Sequence, residues 1–304
     1  MFELILGAIL LYLGAEGFIY GGARCAALFR IPLSVIGIVI IGYGTGIPEW
    51  LVSIKAAYLG YSDIAFGNVV GSNIANIGLV LGLAGLFRPF ELKGPHIRLT
   101  MHLLLLASSL LFVFYMTSRT FFWFQGLFFF LGFLGFTFMS LRVRGEVDSM
   151  TYSRVTKGWA FVFLVFGGVF LFWGSAVFLS GALSIAESLS VSTALVALTL
   201  VALGTSLPEL VTALVAAFRK KDPFVIGNVI GSCLFNILAI IGSASLMHPL
   251  TLNQILLEDM CIFFFFTFWL WVKVQKSAPF SRRDGLFFLS LYLIYMGYLM
   301  VVRR

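Results

Sequence analysis

The chain repeats itself at one fixed distance. GTGIPE at 44–49 returns as GTSLPE at 204–209, and GNVVGSNIAN at 67–76 returns as GNVIGSCLFN at 227–236, both displaced by 160 residues. Aligned without a gap, 44–82 and 204–242 share 14 identities in 39 positions. Chance in so biased a composition gives about three or four, so the halves read as a duplication. Any fold assigned to this sequence must therefore present the same segment twice.

Composition then names the solvent. Of 304 residues, 61% are hydrophobic and 11% are charged, against about 25% charged in ordinary soluble domains. Such a chain cannot coat a water-facing surface, which excludes a soluble enzyme, a nucleic-acid-binding module and a disordered protein. A lipid-spanning helix takes about 20 apolar residues. Apolar runs and their interruptions predict ten spans, at 2–29, 33–60, 65–87, 99–117, 120–141, 158–186, 192–218, 224–247, 255–273 and 284–302. The first run has no basic segment before it and reads as a span, not as a cleaved signal peptide. The stretch 142–157, RVRGEVDSMTYSRVTK, is the one connection long enough to be a linker. It separates a first five-helix repeat, 1–141, from a second, 158–304.

Orientation follows from the basic residues. Alternate connections hold Arg24 and Arg30; Arg88, Lys93 and Arg98; Arg142, Arg144, Arg154 and Lys157; Arg219, Lys220 and Lys221; and Lys273, Lys276, Arg282 and Arg283, sixteen of the twenty. Arg119, Arg303 and Arg304 fall on the other side, and Lys55 lies within the second span. The prediction is an all-α integral membrane protein with a cytoplasmic 142–157 linker and both termini extracytoplasmic. The net charge of +7 is then a topology signal, with no need of a nucleic-acid partner. Equivalent helices are five spans apart, so the repeats are inverted, the architecture of secondary transporters with a site between the halves.

Pro48 and Pro208 are the two prolines deep inside spans. Each deprives the carbonyl four residues earlier, that of Gly44 or Gly204, of its helical donor. Both second helices should break near mid-membrane and expose carbonyl oxygens, which a bilayer tolerates only around an enclosed cavity. Glu49 and Glu209 directly follow. A mid-bilayer carboxylate costs about 3 kcal/mol or more, so the pair marks function ahead of structure. Thr45 and Thr205 lie four residues before the two acids. Asn68, Ser72 and Asn76, and in the second repeat Asn228, Ser232 and Asn236, make polar stripes at i, i+4, i+8. Taken singly, such a stripe can serve interhelical hydrogen bonding, with Gly67, Gly71, Gly227 and Gly231 permitting close approach.

The combined donors are all hard oxygens. Cys25, Cys233 and Cys261 lie in apolar runs as packing residues, and His96, His102 and His248 form no cluster, so zinc and copper are disfavoured. Ca²⁺ takes six to eight oxygens, and Mg²⁺ sheds its water reluctantly. Two carboxylates are neutralised by one Ca²⁺, two Na⁺ or two protons, the property an antiporter requires.

At these motifs the sequence resembles the cation/Ca²⁺ antiporter superfamily, and within it the prokaryotic sodium/calcium exchanger-like branch. The resemblance implies that Glu49 and Glu209 are the central ligands, that Thr45, Thr205 and Ser206 supply hydroxyl or backbone oxygens, and that Ser72, Asn76, Ser232 and Asn236 complete the ion sites. It further implies that the first and sixth helices slide over the rest, along surfaces containing Gly14, Gly17, Gly21 and Gly22 and Gly167, Gly168, Gly174 and Gly181. Two departures stand out. Gly46 occupies the place of Ser206, and Asn236 a place where some sodium-coupled relatives carry a third acid.

The expected activity is export of Ca²⁺, or a similar divalent cation, against Na⁺ or H⁺, in a bacterial or archaeal cell membrane. It needs no cofactor and no obligatory protein partner beyond the bilayer and its inorganic cations, so a monomer suffices. A proton-coupled exchanger that does not use Na⁺ is the alternative, followed by an organic solute transporter of the same 5+5 plan. An intramembrane acid protease is disfavoured, because every Asp lies at a span end or in a loop. Glu16, without an acidic counterpart at Ala176, either assists ion entry or is hydrogen-bonded near the outer interface. Lys55 snorkels outward.

Overall fold

The computed structural model describes residues 2–143, 157–188, 202–255, 257–276 and 278–302. Residues 144–156 of the expected linker, residues 192–201 of the expected seventh span, and Arg303 and Arg304 lie outside the described residues. The helices are α1 (Phe2–Phe29), α2 (Leu33–Thr45), α3 (Ile47–Tyr58), α4 (Ser62–Phe87), α5 (Pro95–Thr117), α6 (Trp123–Arg142), α7 (Lys157–Ser188), α8 (Ala202–Thr205), α9 (Leu207–Phe218), α10 (Asp222–Met247), α11 (Leu257–Gln275) and α12 (Arg282–Val302). The all-helical plan has one addition: β1 (Thr120–Phe121) pairs antiparallel with β2 (Leu250–Thr251), tying two loops together. Among the described residues seven helices are long and apolar enough to span a membrane, or eight if the bent pair α2–α3 is one span.

α10 and α4 form the centre. α10 is buried along nearly its whole length, whereas α6, α7 and α12 turn most of their surface outward. That outer surface carries Phe128, Leu131, Met139, Phe161, Trp173 and Ile294, a face suited to acyl chains. The halves interlock, because α2 of the first repeat lies against α10 of the second. Here Gly42 is required: a Cβ on it would sit 2.7 Å from the Ser232 backbone nitrogen.

α1 and α7 run antiparallel along each other, and their register is written in glycine. Gly7, Gly14 and Gly21 face Phe178, Leu171 and Leu164, while Gly167, Gly174 and Gly181 face Phe18, Leu11 and Leu4. A Cβ at any of these six would approach partner backbone within 2.5–2.8 Å. Every glycine recurs after seven residues, two turns on, and so stays on one face. Of the other glycines expected on this surface, Gly22 faces Ile36 and Ile41 instead.

α3 and α9 end in the same turn. Gly60 (φ 80°) and Lys220 (φ 55°), 160 residues apart, are both left-handed. Gly60 and Tyr61 N–H bond the carbonyls of Ala57 and Ala56, and Lys220 and Lys221 N–H bond those of Ala217 and Ala216. This double bond closes a helix with a left-handed residue just past its end. It fixes the direction in which α4 and α10 return alongside α3 and α9, which brings the polar stripes to the two acids.

Candidate ion-binding site

Both expected breaks are present, two residues before each proline. α2 ends at Thr45 and α3 starts at Ile47, bent by 48°. α8 ends at Thr205 and α9 starts at Leu207. Gly46 (φ −79°, ψ 0°) and Ser206 (φ −89°, ψ 5°) hold the bridge conformation between them. Each proline falls in the first turn of the new helix, where a missing N–H is harmless. Glu49 and Glu209 then occupy the third helical position, and each carboxylate accepts from its own backbone N–H. The positive end of a helix favours charge there.

The two acids are 1% exposed each and close enough to repel. Hydroxyls from the opposite repeat approach them: Thr205 and Ser206 reach Glu49, with Ser206 Oγ 3.4 Å from Glu49 Oε1, and Thr45 reaches Glu209. The stripes brace this arrangement. Asn68 Nδ2 donates to the Glu49 carbonyl and Asn228 Nδ2 to the Glu209 carbonyl, both at 3.1 Å. Thr45 Oγ1 lies 3.2 Å from Asn228 Oδ1 and 3.1 Å from the Ile41 carbonyl, alternative acceptors for its one proton, and Ser232 Oγ donates to the Gly42 carbonyl at 3.0 Å. Asn68 and Asn228 thus position the acids, while Asn76 and Asn236 sit one turn beyond the serines, where α4 and α10 pass into the π-helical segments Asn76–Val80 and Phe235–Ile241. Such wide turns occur frequently at functional sites.

Among the described residues, the buried carboxylate and amide oxygens without a hydrogen-bond partner are Glu49 Oε2, Glu209 Oε2, Asn76 Oδ1 and Asn236 Oδ1. They are two equivalent pairs, related by the 160-residue offset. An unpaired buried acceptor costs about 1–3 kcal/mol and more when charged, so four together ask for a cation. Their chemistry suits a hard one, and no cluster of three His, Cys, Asp or Glu occurs among the described residues.

Other expected members are placed differently. The Gly204 carbonyl accepts from Ser175 Oγ of α7 at 2.6 Å, so it is engaged. Ala15 stands at the corresponding position of α1 and offers Gly44 no hydroxyl. Gly44 instead gives its space to the Phe18 ring. Ser72 lines a cavity of about 310 Å³ between α4, α11 and α12, with Asn68, Asp63 and Asp259, while its counterpart Ser232 is sealed against α2. Glu16 pairs with Arg219 at the end of α9 (2.6 Å), a partner the sequence did not indicate. That bond raises the pKa of Arg219 above its ordinary value. Lys55 is exposed. Two contacts were missed altogether, Asn73 with Asn236 and Cys233 with Asn76. The signal was there: both are one residue past a stripe serine.

Known proteins place the whole chain. An uncharacterized membrane protein of Methanocaldococcus jannaschii is 34% identical over 295 residues, covering 95% of this chain and 94% of its own. A sodium/calcium exchanger of Methanosarcina acetivorans is 28% identical, over 86% of this chain and 85% of its own. A solved structure of the sodium-calcium exchanger NCX_Mj superposes with a TM-score of 0.86 at 31% identity, covering 98% of this chain and 97% of that one. The family model for the sodium/calcium exchanger protein matches residues 1–142 and 159–301. With two copies of one oxygen-lined break, on a multi-pass membrane chain matched nearly from end to end, the protein belongs to the sodium/calcium exchanger family of antiporters.

Proposed function

We propose that the chain exchanges Ca²⁺, or a similar divalent cation, for Na⁺ or H⁺ by alternating access, and normally exports Ca²⁺. The observation that carries this is the set of four unpartnered oxygens at equivalent positions of the two repeats. Glu49 and Glu209 are the charged ligands, with Asn76 and Asn236 beside them. Thr45, Thr205, Ser206, Ser72, Ser232 and the Gly44 carbonyl complete the oxygen set, with the Gly204 carbonyl contributing the lone pair that Ser175 leaves. Ten spans with both termini extracytoplasmic and a cytoplasmic 142–157 linker put the two helix breaks at mid-membrane. Both repeats lie in one chain, so a monomer suffices.

The charge count bears on coupling. With amides at 76 and 236, the site carries two negative charges, which one Ca²⁺, two Na⁺ or two H⁺ neutralises. An electroneutral cycle follows, because the empty, doubly charged site is the form least able to cross the bilayer. Proton coupling without Na⁺ is the second reading, favoured by the same absence of a third acid in the site.

Purified protein in liposomes is expected to take up Ca²⁺ when an outward Na⁺ or H⁺ gradient is imposed. Glu49→Gln and Glu209→Gln should each reduce that uptake at least about a hundredfold, since each leaves a divalent ion half-neutralised in a desolvated site. Full uptake in both variants refutes the site. An imposed membrane potential should leave the wild-type rate unchanged.

A further inference from the structure

Asn73 lies one residue past Ser72 on α4, wholly buried, and its Oδ1 accepts from Asn236 Nδ2 of α10 at 3.0 Å. Asn236 Oδ1 is left without a partner. The repeat brings the equivalent positions together a second time. Residue 233 corresponds to 73 and residue 76 to 236, which puts the buried Cys233 thiol beside the Asn76 side chain. Asn76 Oδ1, like Asn236 Oδ1, has no partner. The Asn236 amide is thus held by its nitrogen, from the helix of the other repeat, and both amides have an oxygen left over.

A primary amide has two ends of similar shape and opposite use. Only the oxygen ligates a hard cation, whereas the NH₂ presents positive hydrogens to it. A side-chain acceptor that engages the NH₂ removes the wrong orientation. The anchor has a cost in folding: Asn73 Nδ2 is itself buried without an acceptor, an expense that packing alone does not explain. We infer that Asn73 is a positioning residue that locks the Asn236 amide with its oxygen toward the transported cation; Cys233, at the equivalent place beside Asn76, offers only a weak sulfur acceptor. The inference rests on the exchange reading above and explains how an amide serves at position 236. A carboxylate there would have no wrong end and would need no such anchor.

The test is a double-mutant cycle on the full chain in liposomes, following Ca²⁺ uptake against Ca²⁺ concentration at a fixed driving gradient. Asn73→Leu should raise the KM for Ca²⁺ about tenfold, as loss of groups that orient metal ligands does, with kcat within about twofold. In an Asn236→Asp background the same substitution should change KM less than about twofold, because either carboxylate oxygen serves. Equal losses in both backgrounds, or no rise in the first, overturn the inference. Should Asn73→Leu fail to fold, Cys233→Asn decides: it copies the stronger anchor into the second repeat and should lower KM, and an unchanged or higher value overturns the proposal. Wild-type protein with no uptake dependent on Glu49 and Glu209 would instead refute the exchange reading, a result separate from any of these.

Discussion

In the first repeat the residue at the helix break is Gly46, and a Cβ there would lie 2.9 Å from the ring of Phe235, which belongs to the other repeat. In the second repeat the break residue is Ser206, its hydroxyl directed at Glu49, and the position corresponding to Phe235 is the small Ala75. Bulk and hydroxyl have changed places. Glu49 therefore has two hydroxyls from across the interface, Thr205 and Ser206, while Glu209 has Thr45 alone. The acids and the unpartnered oxygens obey the two-fold relation between repeats, and the groups that solvate the acids do not. The two carboxylates are thus chemically distinct, although the backbone that carries them is nearly the same.

The largest effect should come from forcing the symmetry. Gly46→Ser puts a side chain against a ring that stacks on Tyr43 at 5.1 Å and meets Phe133 edge-on at 5.8 Å, so the ring has nowhere to move. Overpacking of this kind costs about 1–3 kcal/mol. Thermal melting should fall by several degrees, and Ca²⁺ uptake with it. Combining Gly46→Ser with Phe235→Leu should recover both, since the smaller side chain frees the space. A single variant as stable and active as wild type would show that Phe235 is not what excludes the hydroxyl.

Ser206→Ala is the gentler approach to the same difference. It removes one long hydrogen bond to a carboxylate, worth about 1 kcal/mol, or about fivefold in an equilibrium constant. The Ca²⁺ dependence of transport should shift by that factor toward weaker binding while melting stays unchanged. A shift as large as that of Glu49→Gln would mean that Ser206 is itself a principal ligand.

How far the residues announced this arrangement depended on whether the signal was local. Pro48 and Pro208 act on the carbonyl of a fixed neighbour, so the breaks and the acids beside them could be placed from the chain alone. The stripe of Asn68, Ser72 and Asn76 follows from the helical period, as does its copy at Asn228, Ser232 and Asn236. Contacts between the repeats were another matter. Asn73 and Cys233 look unlike each other, and only the crossing of α4 and α10 shows that each stands beside an amide of the site. The glycine ladder of α1 and α7 was half legible. Glycine-richness was plain, but the seven-residue spacing of Gly7, Gly14 and Gly21, copied 160 residues later with Leu4, Leu11 and Phe18, was the feature that separated contact glycines from the rest. Engagement of the Gly204 carbonyl by Ser175 was out of reach, because it depends on where α7 lies relative to α8.

The smallest effect concerns Glu16 and Arg219, whose side chains are 28% and 57% exposed. Their counterparts are Ala176 and Leu59, so only one half can make this ion pair. In an inverted-repeat transporter the two access states interchange the conformations of the halves. An ion pair that one half alone can form therefore weights one state over the other, and it does so without touching the site. Arg219→Gln should leave the maximal exchange rate nearly unchanged but move the apparent Ca²⁺ affinities measured from the two membrane faces in opposite directions, each by about twofold. High salt should shrink the difference between variant and wild type, because an exposed pair is screened. Affinities moving in the same direction on both faces would mean that Glu16 acts on the ion site itself and not on the balance between states.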